Sequence, residues 1–352
     1  MADFPRVKTI EWLGDRVRYI DQTKLPHELV MRETTDYRVL ADSIRRLEVR
    51  GAPAIGVAAA MGVALAALEC RARDAGAFHA GVEDAARALR ATRPTAVNLT
   101  WAASRMLRAL DEVVPLGRDE QIRRIIDEAL SIAEEDRLLS RRIGENGAAL
   151  LADGDCVLTH CNAGGLATAE YGTALAVIYA AVEAGKSLRV FADETRPLLQ
   201  GARLTTWELM ARGIDVTLLV DGAAASAMAR GMIDKVIVGA DRIARNGDVA
   251  NKVGTFPLAL AARRHGIPFY VAAPHTTLDP SALTGRDIPI EERPAEEVTS
   301  IAGHRIAPPG VKVYNPAFDV TPAELVGAII TDRGVFGPPY GAALFADGAP
   351  GP

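Results

Sequence analysis

From about residue 151 onward, short apolar runs alternate with helical patterns, and this alternation constrains the fold more than any other feature of the chain. The runs are CVLTH, LRVFA, DVTLLV, KVIVGA and PFYVAA, separated by TALAVIYAAVEAG, RLTTWELMARG, AASAMARGM and FPLALAARRHG. Each run is rich in Val, Ile and Leu and nearly continuous, as in parallel strands buried on both faces. Parallel strands need long crossovers, and the intervening segments supply helices for that purpose. The repeated unit predicts a doubly wound, Rossmann-like parallel sheet. A sixth strand is expected near VKVYNPAFDV, and the Pro- and Gly-rich stretch FGPPYGAALFADGAPGP predicts a flexible tail from about residue 336.

Before residue 150 the pattern is helical. TDYRVLADSIRRLEV, PAIGVAAAMGVALAALECRARDAG and NLTWAASRMLRALDEVV suit helices, and Arg118 to about Leu151 sets Ile122, Ile125, Ile126, Leu130 and Ile132 at helical spacing amid dense charge. VKTIEWLGDRVRYIDQTKLP fits a small hairpin or meander. The expected class is α/β: a smaller, mainly helical N-terminal domain (1–125), a connecting helix (126–150) and a Rossmann-like domain (151–352).

Composition narrows the function classes. The net charge of -5 leaves no basic footprint for nucleic acid or an anionic membrane, so an anionic ligand must be met by a local cluster of Arg, Lys and amides. No uninterrupted apolar run reaches about 18 residues and the N-terminus lacks an apolar signal core, so no membrane association is expected. Cys70, Cys156 and Cys161 are too few and too odd in number for a disulfide framework, which points to a reducing, cytoplasmic setting. The histidines show no metal-ligand spacing, and neither a GxGxxG fingerprint nor a P-loop occurs, so no metal, nucleotide or other cofactor is expected.

Ligands of open parallel sheets bind beyond the carboxyl ends of the strands. There this chain places His160-Cys161-Asn162-Ala163-Gly164-Gly165, then Asp193-Glu194-Thr195-Arg196, then Ala240-Asp241-Arg242, then Pro274-His275. In a Rossmann order the first and fourth strands are neighbours, which would bring Cys161 and Asp241 to one crevice. A cysteine before loose glycine amides and a helix suits a thiolate, and a cysteine at a strand end equally suits a small buried apolar role. Asp241 is either a general acid with a raised pKa or a helix N-cap paired with Arg242. Arg50-Gly51-Ala52-Pro53 and Arg93-Pro94 each stand at a helix entrance, where an anion is favoured but a structural turn is the commoner use. Asn251 and Lys252 read as a turn.

Several longer strings carry a specific likeness. RGAPAIGVAAAMG, THCNAGGLATAEYGTALAVI, FADETRPLLQGARLTTWEL, VIVGADRIARNGDVANKVGTF, IPIEERP and NPAFDVTPAELVGAIIT resemble the family that unites methylthioribose-1-phosphate isomerases with the alpha, beta and delta subunits of translation initiation factor 2B. The resemblance runs from about residue 5 to 335. It implies that Cys161 and Asp241 are the catalytic pair. It also implies that Arg50, Gly51, Ala52, Arg93, Gln200, Asn251 and Lys252 contact the substrate, largely at its phosphate. The implied partner is a small sugar phosphate, the implied activity is an aldose–ketose isomerisation in methionine salvage, and the implied assembly is a homodimer. A second phosphorylated sugar, ribose 1,5-bisphosphate, is the nearest alternative substrate, and a non-catalytic regulatory subunit is the alternative role. Retention of both Cys161 and Asp241 counts against the latter.

Overall fold

The N-terminal segment forms an antiparallel meander in the computed structural model, which describes residues 8–346. Its strands are β1 (Ile10–Trp12), β2 (Val17–Ile20) and β3 (Met31–Thr34), with Tyr19 opposite Ile10 on one side and Arg32 on the other. Five helices follow: α1 (Tyr37–Arg45), α2 (Ala52–Glu69), α3 (Ala75–Arg90), α4 (Val97–Glu112) and α5 (Arg118–Ala148). Asp36 and Asp74 begin α1 and α3 by accepting the N–H groups of Arg38 and Ala77, each at 2.8 Å.

Among the described residues, α2, a helix expected from the sequence, alone has the length and mean hydropathy of a membrane-spanning helix. It is 78% buried by α1, α3 and α4, and its Ala- and Gly-rich surface is apolar all round because every face meets another element. α5 instead carries charge on its outer face. Arg105 of α4 pairs with Glu128 and Glu135 of α5, tying the two helices together.

The described residues divide into a helical unit, 8–142 with 163–176, and a sheet unit, 143–162 with 177–346. In the helical unit the returning segment 163–176 is held by several polar contacts. Thr9 Oγ1 donates to the Gly165 carbonyl (2.6 Å), Gln22 Nε2 to the Leu166 carbonyl (2.8 Å), and Asp136 Oδ2 accepts the Ala169 N–H (2.6 Å).

Asp136, on α5, is 8% exposed, and burial pushes its carboxyl up to about 6. A folded-state value above the ordinary 3.8 means that this group stabilises the fold at low pH, an effect lost as pH rises through about 6. A rise of that size corresponds to roughly 2–3 kcal/mol. Asp136→Asn keeps an acceptor for the Ala169 N–H and removes the charge. Urea unfolding from pH 4 to 8 is expected to show a smaller fall in stability for the variant; parallel curves would contradict this.

The sheet unit contains all five expected parallel strands. They are β4 (Cys156–Thr159), β5 (Arg189–Asp193), β6 (Asp215–Leu219), β7 (Lys235–Val238) and, after the hairpin β8 (Arg242–Ala244) and β9 (Val249–Lys252), β10 (Phe269–Ala272). Helices α6 (Ala174–Glu183), α7 (Thr206–Ala211), α8 (Ala224–Ala229) and α9 (Thr255–His265) alternate with them. Beyond β10 come β11 (Leu278–Asp279), α10 (Glu296–Thr299), β12 (Ser300–Ile301), β13 (His304–Arg305), β14 (Phe318–Thr321), β15 (Ala328–Thr331), β16 (Gly334–Phe336) and α11 (Ala342–Phe345). The large sheet has the order β16-β15-β10-β7-β4-β5-β6, with only β16 antiparallel. β4 and β7 are therefore adjacent, in the register Leu158 opposite Val236. This is the doubly wound α/β class expected from the sequence.

Two expectations are corrected here. The sixth parallel strand is β15, within VGAIIT, and not the segment VKVYNPAFDV. β14, at the end of that segment, has only Thr321 fully buried and lies in a second sheet of order β11-β8-β9-β14. All four residues of β15 are buried, as an interior parallel strand requires. The stretch from 336 also does not hang loose over residues 336–346. Leu344 is 1% exposed in the core, and Tyr340 donates its hydroxyl to the Val326 carbonyl at 2.8 Å. The remainder of the expected tail, 347–352, lies outside the described residues.

Candidate active site

Because β4, β5, β7 and β10 run parallel, their carboxyl ends share one edge of the sheet. Cys161 stands just past β4 and Asp241 just past the neighbouring β7. Both are partly exposed at that edge. Cys161 is also not followed directly by a helix. A short turn intervenes, and α6 starts only at Ala174.

Cys161 has φ 64, in the left-handed region that an L-residue avoids at a cost of about 1–3 kcal/mol. Neighbouring groups hold it there. The Cys161 N–H donates to Thr195 Oγ1 (2.8 Å), and the Cys161 carbonyl accepts from Thr205 Oγ1 (2.5 Å). Thr205 Oγ1 and Glu208 Oε1 both accept from the Asn162 amide, at 3.2 and 2.8 Å. Thr205 closes a five-residue π-helical turn, Gly201–Thr205, that opens α7. Its first residue must be glycine because a Cβ there would lie 1.7 Å from the Asp193 carbonyl oxygen.

His160 is buried beneath this edge, 2% exposed. Its Nδ1 meets Asp193 Oδ2 at 3.0 Å and its Nε2 meets the Val253 carbonyl at 2.9 Å. A carbonyl only accepts, so Nε2 carries a proton. Burial favours the neutral ring, but the hydrogen bond and charge of Asp193 outweigh it and raise the His160 pKa. Asp193 itself is pushed up by burial, and its Oδ1 has no hydrogen-bond partner among the described residues.

Asp241 and the Asn251-Lys252 pair are brought together by the β8–β9 hairpin: the Asp241 N–H donates to the Ala250 carbonyl at 2.9 Å. Asn251 and Lys252 therefore belong to a strand rather than the turn read from the sequence. Asn251 donates its amide to Thr255 Oγ1 (3.0 Å), and Lys252 Nζ donates to the Ala317 carbonyl (2.8 Å). Gln200, just before the π turn, is 6% exposed and its Oε1 has no hydrogen-bond partner among the described residues.

The other predicted contacts lie in the helical unit. Arg50 is buried, and its Nε donates to Gln22 Oε1 at 2.9 Å. Gly51 precedes α2 with φ 99, and a Cβ on it would come 2.5 Å from the Ala167 Cα, so this helix start tolerates only glycine. Ala52 is the first residue of α2, and Arg93 lies shortly before α4, partly exposed.

Residues 48–338 match the model of the Initiation factor 2 subunit family. The chain belongs to this family. It is 57% identical over 332 residues to a methylthioribose-1-phosphate isomerase of Heliobacterium modesticaldum, covering 94% of this chain and 96% of that protein. Among solved structures, 5-methylthioribose 1-phosphate isomerase from Pyrococcus horikoshii matches with a TM-score of 0.89 at 48% identity, covering 95% of this chain and 93% of that one. The translation initiation factor 2B subunit delta from A. fulgidus matches with a TM-score of 0.85 at 51% identity, covering 95% and 97%.

Within this member of the Initiation factor 2 subunit family, His160, Asp193 and Asp221 bring ligand atoms within 4.8 Å of one another. Their geometry suits hydrogen bonding instead. Both ring nitrogens of His160 are engaged, and the Asp221 oxygens accept the N–H groups of Thr195 and Arg196, each at 2.7 Å. Thr195 was placed at the strand ends from the sequence but given no role, and Thr205 and Glu208 were not singled out, although all three lie inside FADETRPLLQGARLTTWEL.

Proposed function

We propose that this chain is an aldose–ketose isomerase that converts 5-methylthioribose 1-phosphate to 5-methylthioribulose 1-phosphate, a step of methionine salvage. The observation that carries this reading is the placement of a carboxylic acid and a thiol, Asp241 and Cys161, at the ends of adjacent strands β7 and β4. The substrate is a closed furanose whose anomeric oxygen is esterified, so it cannot open to a free aldehyde. Asp241 protonates the ring oxygen, and positive charge develops at C1. Hydrogen then moves from C2 to C1 while the C2 hydroxyl loses its proton, and Cys161 stabilises the developing charge or takes part in that transfer. One carbon is oxidised as its neighbour is reduced, so the overall reaction is redox-neutral.

Arg50, with the amides of Gly51 and Ala52 at the start of α2, and Arg93 supply charge and donors suited to a phosphate. Gln200, Asn251 and Lys252 supply the remaining polar contacts. The enzyme is cytoplasmic and works as a homodimer. Purified protein is expected to turn over methylthioribose 1-phosphate far faster than ribose 1,5-bisphosphate, and light scattering should give twice the 37.4 kDa chain mass. Faster turnover of the bisphosphate would reassign the substrate, and no turnover of either would favour the role named for the A. fulgidus relative. A mass of one chain would remove the dimer.

A further inference from the structure

We propose that Thr195 and Thr205 are positioning residues that clamp Cys161 in its left-handed conformation and so aim its thiol for isomerisation. The inference rests on the isomerase reading, but its premise is local geometry. Each threonine hydroxyl makes two complementary bonds. Thr195 Oγ1 donates to the Asp193 carbonyl at 3.0 Å, which leaves a lone pair for the Cys161 N–H at 2.8 Å. Thr205 Oγ1 donates to the Cys161 carbonyl at 2.5 Å, which leaves a lone pair for the Asn162 amide at 3.2 Å. The hydroxyls thus hold both backbone polar groups of Cys161, from two separate segments of the chain.

Both threonines are 0% exposed, so water does not replace either hydroxyl when it is removed. The clamp is itself braced. Thr195 has φ 66, and its N–H donates to Asp221 Oδ1 at 2.7 Å. A left-handed non-glycine residue persists only where its surroundings over-determine it. Without the hydroxyls, Cys161 can relax toward ordinary φ values, which redirects its Cα–Cβ bond and moves the sulfur. Small displacements of a reacting group cost rate steeply.

Valine has the shape of threonine without the hydroxyl. Thr195→Val and Thr205→Val are expected to lower kcat by about 10-fold or more with KM within about twofold, because an interaction that aims the reacting group acts on turnover. Thr195→Ser and Thr205→Ser, which restore the hydroxyl, should recover most of the rate. A second readout does not depend on the isomerase assay: alkylation of Cys161 by iodoacetamide, followed by mass spectrometry. Cys70 and Cys156 are buried, and burial raises both thiols, Cys156 to about 11, so they are poor competitors. The valine variants should change the Cys161 alkylation rate by about threefold or more. If Thr195→Val does not fold, Thr205→Val and Thr205→Ala carry the test. Wild-type kcat and wild-type alkylation in folded valine variants would overturn the clamp, as would serine variants no better than valine. Absence of turnover in the wild-type protein would sink the functional reading instead, and alkylation alone would then decide the clamp.

Discussion

Asp241→Asn and Cys161→Ser are each expected to lower turnover of methylthioribose 1-phosphate by about 100-fold or more while leaving the fold intact. Asparagine has nearly the shape of aspartate but no proton to give, so ring opening loses its acid. Serine is less polarisable than cysteine and ionises far less readily. Both positions are partly exposed at a sheet edge, so neither change opens a core cavity. Circular dichroism and thermal melts should therefore match wild type while kcat falls. Near-normal kcat in both variants would remove the pair from the mechanism. A lost melting transition would show that the side chains serve the fold rather than the chemistry.

Four of the five runs, those of β4, β5, β7 and β10, were legible because near-continuous apolar residues suit strands covered on both faces. β6, at the edge of the sheet, is mostly exposed, with Leu218 49% exposed, against the expectation for its run. The same rule explains the misplaced sixth strand. VKVYNPAFDV has the composition of a strand, but β14 at its end is mostly half-exposed, whereas the four residues of β15 are all buried. Strand order gave Cys161 and Asp241 a reason to meet on neighbouring strands, and only the resemblance of the strings around them implied that they are a catalytic pair. The conformation of Cys161 could not be foreseen. Its φ of 64 depends on Thr195 and Thr205, which lie on other segments and which local propensity does not connect to it. Asn251 and Lys252 read as a turn because NGD precedes them, yet pairing of Asn251 with Asp319 and of Lys252 with Phe318 extends β9 through both. Long-range pairing overrides local turn chemistry there.

Asp193→Ala is expected to be among the most destabilising single changes in the sheet unit, and Asp193→Asn a much milder one at alkaline pH. The difference follows from counting protons on His160. The ring places Nε2 against the Val253 carbonyl and Nδ1 against Asp193 Oδ2, both within 3.0 Å. Alanine leaves Nδ1 buried without a partner, which costs about 1–3 kcal/mol with the ring neutral. With the ring charged, the unpaired buried cation raises the cost to about 3–5 kcal/mol. Asparagine satisfies a neutral ring, since its amide donates to Nδ1 while Nε2 keeps its proton for Val253. The two proteins then respond to pH with opposite sign. In the wild type the His160 pKa is raised above 6.5, so its contribution is fully present below 6.5 and is lost as pH rises through the folded value. In Asp193→Asn the charged ring has no carboxylate and burial dominates, so stability is lost as pH falls below 6.5. Urea unfolding at pH 5.5 and pH 8 should therefore show a wider gap between wild type and Asp193→Asn at the lower pH. A gap that is equal at both, or wider at pH 8, would show that His160 is neutral in the native protein and that its bond to Asp193 is held by a proton on the carboxyl.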